Sequence, residues 1–514
     1  MRKTVSKVIA LVLALAMVFA LAACTNTDGG SGSASADTKT ADTTADNGEK
    51  TDDSKGSGEV TKVMFYFPTI YDVSGAPDVI AALNEYSIPK YGIEYAAEYI
   101  SFGNINTVLN TALTGDEVDV FRTLGGVTLK EEKQKGLIIP LQEYWDDESL
   151  TAKEVRDRWQ GVFTTGCSVD GELMGIPQLV DYGHYVSLTI DNEVFNAYGK
   201  WTVEQDVTLD DIEAFFDWCH ETYPDKYPIV PNSTTLCSGW TWDPLTDGVG
   251  VLGNCSQDTN VHSIFDDEDY IMFCNWARKI FEKGYITKDI MSNSETALGQ
   301  VKAGVGCSYF DWYGISSVDG CTRVRAMSEP FAACGNIGTA CYCISANSKH
   351  KKEAYRALEL IYEDPVISHF INNGIEGVHY TVNEDGTFSY LEGKDPSTCG
   401  YGMAALKWCM PGSEISYPNV DDGPTYFTDL YNWCKDTCEY SVIDGWVFDP
   451  SAVEDELTNC KAVYSNYVTT IMSGSVDVDE FLNQARADMA ANGEDKVIAE
   501  KQRQIDEFMA NKNK

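Results

Sequence analysis

Three stretches decide the fold: Thr61–Phe67 "TKVMFYF", Ile93–Ile100 "IEYAAEYI" and Ile105–Gly125 "INTVLNTALTGDEVDVFRTLG". The first is a β-rich run ended by Pro68, and the second follows Gly92. Aromatic and β-branched runs with such boundaries read as strands. Between them, Pro77–Tyr86 predicts a helix. The third stretch predicts a helix, a turn at Gly115-Asp116 and a strand ending near Thr123. A strand–helix–strand–helix–strand start favours an open α/β sheet with its ligand edge at the strand ends. "GLIIPLQEY" at 136–144 adds a short buried element.

Outward from this start the pattern stays α/β. Asp170-Gly171 marks the tip of a hairpin, from which an extended segment leads toward Asp191. Thr208 with Asp211 three residues on has the form of a capping box, and Ile212, Phe215, Phe216 and Cys219 then make one apolar helical stripe. Phe273, Trp276, Ala277, Ile280 and Phe281 repeat that stripe before Gly284, a C-cap candidate. Further helices carry Ala354, Ala357, Leu358 and Ile361, and at the end of the chain Ile498, Ile505, Phe508 and Met509. There is no internal repeat or coiled-coil pattern.

The 514 residues exceed one ordinary core, so two lobes are expected. The formal charge is −41, and removal of Arg2, Lys3 and Lys7 would take it to −44. Such a body is repelled by phosphate backbones, which excludes nucleic acid as a partner. With no basic cluster in the sequence, polyanionic ligands are disfavoured as well. After the leader, no apolar run reaches the length of a membrane span.

That leader has a cationic start at Arg2, Lys3 and Lys7 and an apolar run from Val8 to Ala20. It reads as a secretory signal peptide over residues 1–23. Leu21-Ala22-Ala23-Cys24 resembles the bacterial lipobox, in which the cysteine sulfur is acylated before cleavage. An ordinary signal peptide cleaved after Ala22 or Ala23 is the alternative, but it gives the following stretch no role. Thr25–Gly58 holds Gly, Ser, Thr, Asp and Lys with almost no apolar residue, so 24–58 is expected to be a lipidated cysteine and a flexible linker. Its reach is about 30 Å for a Gly/Ser-like coil. The expected location is the outer face of the cell membrane, with membrane contact through the anchor only.

Lipidation of Cys24 would leave 15 of the 16 cysteines, an odd number, and no pair has C-x-x-C spacing. Cys434 and Cys438 are the one pair placed for a metal or a disulfide, while small buried hydrophobes are the expected role of most others. "VDVDE" and "DDEDY" lack the glycine of an EF-hand loop. No metal and no cofactor is expected.

Several motifs together resemble the extracellular solute-binding proteins of ABC importers, family 1 (sugar-binding type). "VDGELMGIP" at 169–177 is similar to that family's D-G-x-x-Y-G-I-P hairpin, with Met174 in place of Tyr. "LTIDNEVFNAYG" at 188–199 has Ile190-Asp191 where Tyr-Asn is usual. "ISANSKHKKEAYRALELIYEDPVISHFINNGIEGVHY" at 344–380 resembles the family's S-K helix and G-I-E-G-x-H-Y loop. "VIDGWVFDPSAVEDELTN" with "VIAEKQRQIDEF" resembles the tail of a lipoprotein subgroup whose C-terminal domain has otherwise unknown function. The resemblance runs from about Glu59 to the end. It implies a two-lobed, periplasmic-binding-protein-like (type II) α/β fold, joined by two or three crossing strands and closing by a hinge. By that analogy lobe 1 holds 59–178 and 338–395, and lobe 2 holds 179–337 and 396–514 including the subgroup-specific end.

A sugar needs aromatic planes for its CH faces and carboxylate, amide or guanidinium groups for its hydroxyls. Candidates are Trp240 and Trp242 in "CSGWTWDPLTDG", Asp311, Trp312 and Tyr313 in "SYFDWYG", and Asp181, Tyr182 and His184 in "LVDYGHY". Core packing is the competing fate of each ring. At the lobe edges, Tyr71 and Asp72 follow the first strand, and Glu376 sits between glycines. For Glu376 the alternative is an acceptor for loop N–H groups, and His379 reads as structural. The expectation is a monomeric receptor, not an enzyme, that captures a carbohydrate, in particular an oligosaccharide, and delivers it to an ABC permease. A peptide or other polar-solute receptor and a cell-surface glycan hydrolase or adhesin are the alternatives. The chain has no G-x-S-x-G, H-E-x-x-H, Walker A or G-x-G-x-x-G motif.

Overall fold

Along the strand Thr61–Thr69, Val63, Phe65 and Phe67 alternate into the interior while Lys62, Met64 and Tyr66 keep some exposure. That period-two pattern seeds the first core. In the computed structural model, which describes residues 60–124, 127–183, 185–313, 318, 320–326 and 329–512, the strand is central to a five-stranded sheet. The expected signal peptide, Cys24 and the expected linker fall outside the described residues. Ile93–Ser101 and Val120–Arg122 flank the central strand in parallel, and Cys341–Ile344 and Ile176–Pro177 extend the sheet antiparallel. Helices Ala76–Tyr91 and Ile105–Ala112 make the expected parallel crossovers. The outer edge of Ile93–Ser101 is sealed by Asn84, which donates to Tyr95 O at 2.8 Å and accepts from Tyr95 N at 2.7 Å. An amide side chain thereby occupies the place of a further strand. Helices Lys351–Glu363 and Pro365–Asn373 pack against the same core through Ala354, Leu358, Ile361 and Ile367.

The hairpin forms as expected: Ser168–Val169 pairs with Glu172–Leu173 around Asp170 and Gly171, both at positive φ (54° and 79°). Two successive positive φ angles define the tight hairpin turn that Asp-Gly favours. The Thr208–Asp211 capping box is present, and Gly284 takes the left-handed position (φ 80°) after helix Glu268–Glu282.

A second core surrounds a four-stranded sheet in the order Asp206–Val207, Cys321–Ala326, Tyr185–Asp191, Ser308–Tyr313. Val186, Leu188, Phe310 and Val324 face that core on one side of the sheet. Ser187, Thr189, Asp311, Arg323 and Arg325 lie on the opposite side by register. Between the cores the chain passes three times, near 183–185, near 330–337 and near 434–443. The last two passes pair in parallel, Phe331 with Glu439 and Ala332 with Tyr440.

The packing departs from the expected division in two stretches. The family analogy places residues 396–434 in lobe 2, yet Tyr401, Met403, Leu406, Cys409, Tyr426 and Cys434 belong to the first core. Hydrogen bonds fix them there: Tyr401 Oη donates to Ile371 O (2.9 Å), Tyr342 Oη to Cys409 O (2.8 Å) and Ser368 Oγ to Gly412 O (2.7 Å). The chain returns to the second core only at the third pass. Leu179 and Tyr182 likewise remain in the first core.

The C-terminal helices Glu454–Met472, Val478–Ala491 and Glu494–Lys512 join the second core. They roof the loop 240–256. Lys501, fully buried, pairs with Asp247 at 2.7 Å, and Tyr270 Oη donates to Val468 O at 3.0 Å. The ring of Tyr464 lies so close to Gly248 that an added Cβ would sit 2.3 Å from it. All described cysteines are free and all except Cys321 are buried, Cys434 and Cys438 included. Among the described residues no group of three or more His, Cys, Asp or Glu is arranged to hold a metal ion, and no helix is long and apolar enough to cross a membrane.

Candidate functional site

Parallel pairing delivers the carboxyl ends of three strands to one edge of the first sheet, where ligands of open α/β sheets bind. After Thr69 comes exposed Ile70, then Tyr71, whose ring rests half-buried on the first core. Asp72 accepts the Ser74 N–H at 2.9 Å, and that backbone bond holds its carboxyl below the usual carboxylate range. Asp72 O accepts from Gly402 N at 2.8 Å. Asp72 therefore orders the turn ahead of helix Ala76–Tyr91.

The second strand ends at Ser101, with Phe102 opening the 3₁₀ turn that follows, and the third ends at Arg122. Over them lies Trp408, from the 3₁₀ segment Gly402–Cys409. At 40% exposure it is the one exposed tryptophan among the described residues. Its ring is 5.5 Å from Phe102, tilted by 35°, and 5.8 Å from the Arg122 guanidinium carbon. Arg122 Nε donates to Gln178 Oε1 at 2.5 Å, and Gln178 Nε2 donates to Trp408 O. These links hold the indole as a shelf, with a guanidinium on its inner side. Beside it a cavity of about 240 Å³ is lined by Leu179, Val180, Asp181, Lys407, Tyr426 and Phe427. The segment lining it includes the start of the first pass between cores.

In the second lobe, Asp311 meets Arg323 at 3.1 Å on the polar side of the sheet. Trp312 is half-buried on the second core, and its Cζ2 would lie 2.4 Å from a Cβ built on Gly239. A glycine is needed there for the indole to lie against the backbone. Tyr185, buried and with its hydroxyl pKa raised by burial, stands 5.9 Å from Trp433 and beneath Arg325 at 4.8 Å. Trp433 Nε1 donates to Gly183 O at 3.0 Å, so the first and third passes are tied together.

Several expected site residues lie elsewhere. Trp240 (1% exposed) packs on Phe273 and Phe310, and Trp242 (4%) on Tyr270, so both rings belong to the second core. Their Gly- and Ser-rich surroundings read as an open loop, but the C-terminal helices cover it. Tyr182 is buried in the first core with its hydroxyl on Gln178 O. Glu376 is exposed, rather than a buried acceptor, on a loop whose tight geometry comes from Gly374 and Gly377 at positive φ (89° and 77°). His379 fills the space between Gly75, Gly374 and Gly400, and its Nδ1 accepts from Ile375 N at 3.0 Å. His184 and the Tyr313 side chain fall outside the described residues. Tyr71, Asp72, Asp311 and Trp312 remain at the strand ends of their lobes. Phe102, Arg122, Gln178 and Trp408 escaped sequence reasoning. The Pro411-Gly412 turn just after "KWC" was the one available sign that Trp408 leaves a helix near a loop.

Residues 442–510 match the family described as "Domain of unknown function (DUF3502)". A crystal structure of the N-glycan transport solute binding protein NgtS from Streptococcus pneumoniae superposes with a TM-score of 0.75. It is 18% identical, and the match covers 88% of this chain and 99% of that one. This chain has the two-lobed solute-binding-protein fold. The same relative in complex with Man1GlcNAc superposes at a TM-score of 0.67, with 17% identity and coverage of 87% and 99%. A "Carbohydrate ABC transporter substrate-binding protein" from Streptococcus pneumoniae serotype 4 (strain ATCC BAA-334 / TIGR4) is 21% identical over 468 residues, which are 86% of this chain and 91% of that protein. These relatives are named as binding proteins rather than enzymes. Within this two-lobed fold, the shelf of Trp408 lies at the carboxyl edge of the first sheet.

Proposed function

We propose that the protein is the solute-binding component of an ABC importer, tethered outside the cell through Cys24, and that it captures an oligosaccharide between its lobes for a membrane permease. The observation that carries this reading is the exposed Trp408 indole at the carboxyl edge of the first sheet. A free energy of folding gains nothing from leaving a ring of that size in water, whereas a pyranose CH face would cover it. Asp311, Arg323 and the half-buried Trp312 supply polar and stacking groups at the edge of the second lobe. Fold-level similarity to relatives named for glycans supports the choice of a sugar over a peptide.

Ligand spanning both lobes would stabilise the closed form, and the permease would read that form. A thermal-shift panel of oligosaccharides (Man1GlcNAc among them) and peptides tests the reading. A ligand at a hundredfold excess over Kd raises stability by about 2.7 kcal/mol, a readily measured shift. Stabilisation by peptides alone sinks the carbohydrate assignment, and hydrolysis of any glycan sinks the receptor assignment. Mass spectrometry of the membrane-extracted protein tests the anchor: an N-terminal peptide beginning at an unmodified residue other than Cys24 overturns it.

A further inference from the structure

Nine arginines are described, and eight of them meet a carboxylate within 4.0 Å: Arg156, Arg158, Arg278, Arg323, Arg325, Arg356, Arg486 and Arg503. Arg122 is the exception. It is 3% exposed, and its bonds among the described residues are Nε to Gln178 Oε1 (2.5 Å) and Nη1 to Thr123 O (2.9 Å). Nη2 has no acceptor among the described residues. Among ionisable groups its charge acts on the Cys409 thiol and the Tyr342 phenol, which burial pushes up, and on the Cys341 thiol, where burial is outweighed by hydrogen bonds from Cys167, Cys343 and Thr123 together with the Arg122 charge, so that this thiol lies below the ordinary thiol range. Both acceptors that Arg122 does have are neutral.

A buried guanidinium with no carboxylate in contact among the described residues is expensive, since desolvation is repaid only by close pairing. The chain has 79 acidic residues against 38 basic ones, so carboxylates are abundant, and every other described arginine has found one. Arg122 also lies at the carboxyl end of a central strand, under the one exposed tryptophan among the described residues. A guanidinium offers a planar fork of donors that matches an oxyanion in two-point contact.

We propose that the carbohydrate carries an acidic group, a carboxylate or a sulfate ester, which takes the Nη donors of Arg122 while its ring stacks on Trp408. This rests on the carbohydrate reading above and narrows it to acidic sugars. One local cation serves a singly charged residue, and the acidic surface elsewhere discourages polyanions.

Calorimetry with matched oligosaccharides tests it: each neutral member against the same chain bearing one terminal uronate, sialate or sulfate. The expected result is at least tenfold tighter binding of one acidic member than of its neutral partner. Whether uronate, sialate or sulfate gives the preference identifies the oxyanion. The preference should shrink between 50 and 300 mM NaCl, and R122M should bring the acid-to-neutral ratio below twofold. R122K, which keeps charge and loses the fork, should bring it to an intermediate value and covers the case in which R122M does not fold. Neutral members binding as tightly as acidic ones would overturn the acidic-sugar inference and leave carbohydrate capture standing. A preference that survives in R122M or R122K undiminished would remove Arg122 from it. Binding of no saccharide of either kind would overturn both readings.

Discussion

Substitution of Trp408 by alanine separates the binding reading from a packing reading. The residue is 40% exposed, so of the roughly 250 Å² that an indole side chain can bury about 100 Å² remains for a ligand to cover. At about 25 cal/mol per Å² that area is worth about 2.5 kcal/mol, or on the order of 70-fold in Kd. The estimate is an upper one, because a sugar face is less apolar than the alkane behind the coefficient. A loss of 20- to 70-fold is therefore expected in calorimetric titration with the saccharide that most raises the melting temperature. Trp240 provides the control. It is 1% exposed between Phe273 and Phe310, and Trp240→Ala should cost about 3–5 kcal/mol of stability. Its folded fraction should keep the parental Kd. Should Trp408→Ala fold and bind within threefold of the parent, the shelf has no part in recognition and the site must be placed elsewhere.

Three further outcomes follow from named contacts. Lys501→Met leaves Asp247 buried without its 2.7 Å partner and should destabilise the protein by about 3–5 kcal/mol in urea, whereas replacing both residues by apolar ones should recover most of that loss; equal costs for the single and double variants would remove the pair from the account. Gly239→Ala would put a Cβ 2.4 Å from Trp312, so the indole must leave its seat and binding should weaken with little change in urea midpoint; unchanged affinity would assign Trp312 to packing alone. Burial holds the His379 imidazole below its ordinary pKa of 6.5, so its share of stability is complete above pH 6.5 and is lost as pH falls from there toward the folded value. Urea midpoints at pH 7.5 and 5.5 should accordingly fall more in the parent than in His379→Asn, and parallel falls would rule out this linkage.

The start of the fold was legible because its signals are local. Alternation in Thr61–Phe67, the glycine before Ile93 and the stripe of Ile212, Phe215 and Phe216 each act within one element, and each element formed where its pattern lies. Division of the chain between lobes was less accessible. Nothing in the composition of 396–434 tells which core its apolar side chains will join. The answer comes from distant partners, such as Ile371 for Tyr401 and Tyr342 for Cys409. A segment that follows a passage between lobes can pack on either side with the same pattern of hydrophobic residues.

Recognition surfaces pose the harder problem, because burial and not residue type separates a stacking ring from a core ring. Trp240 and Trp242 stand among Gly, Ser, Thr and Pro, the residues of exposed loops, yet Tyr464 and Lys501 come from more than 200 residues later to close over that loop. Trp408 stands in "ALKWCM", where its neighbours suggest a buried helix, but the segment is 3₁₀ and its geometry turns the indole outward. Arg122 carries the clearest sign, and it is one of pairing. Eight other described arginines meet carboxylates in a chain rich in them, and the ninth is the one we assign to a ligand. That difference becomes visible only after folding has paired the other described arginines.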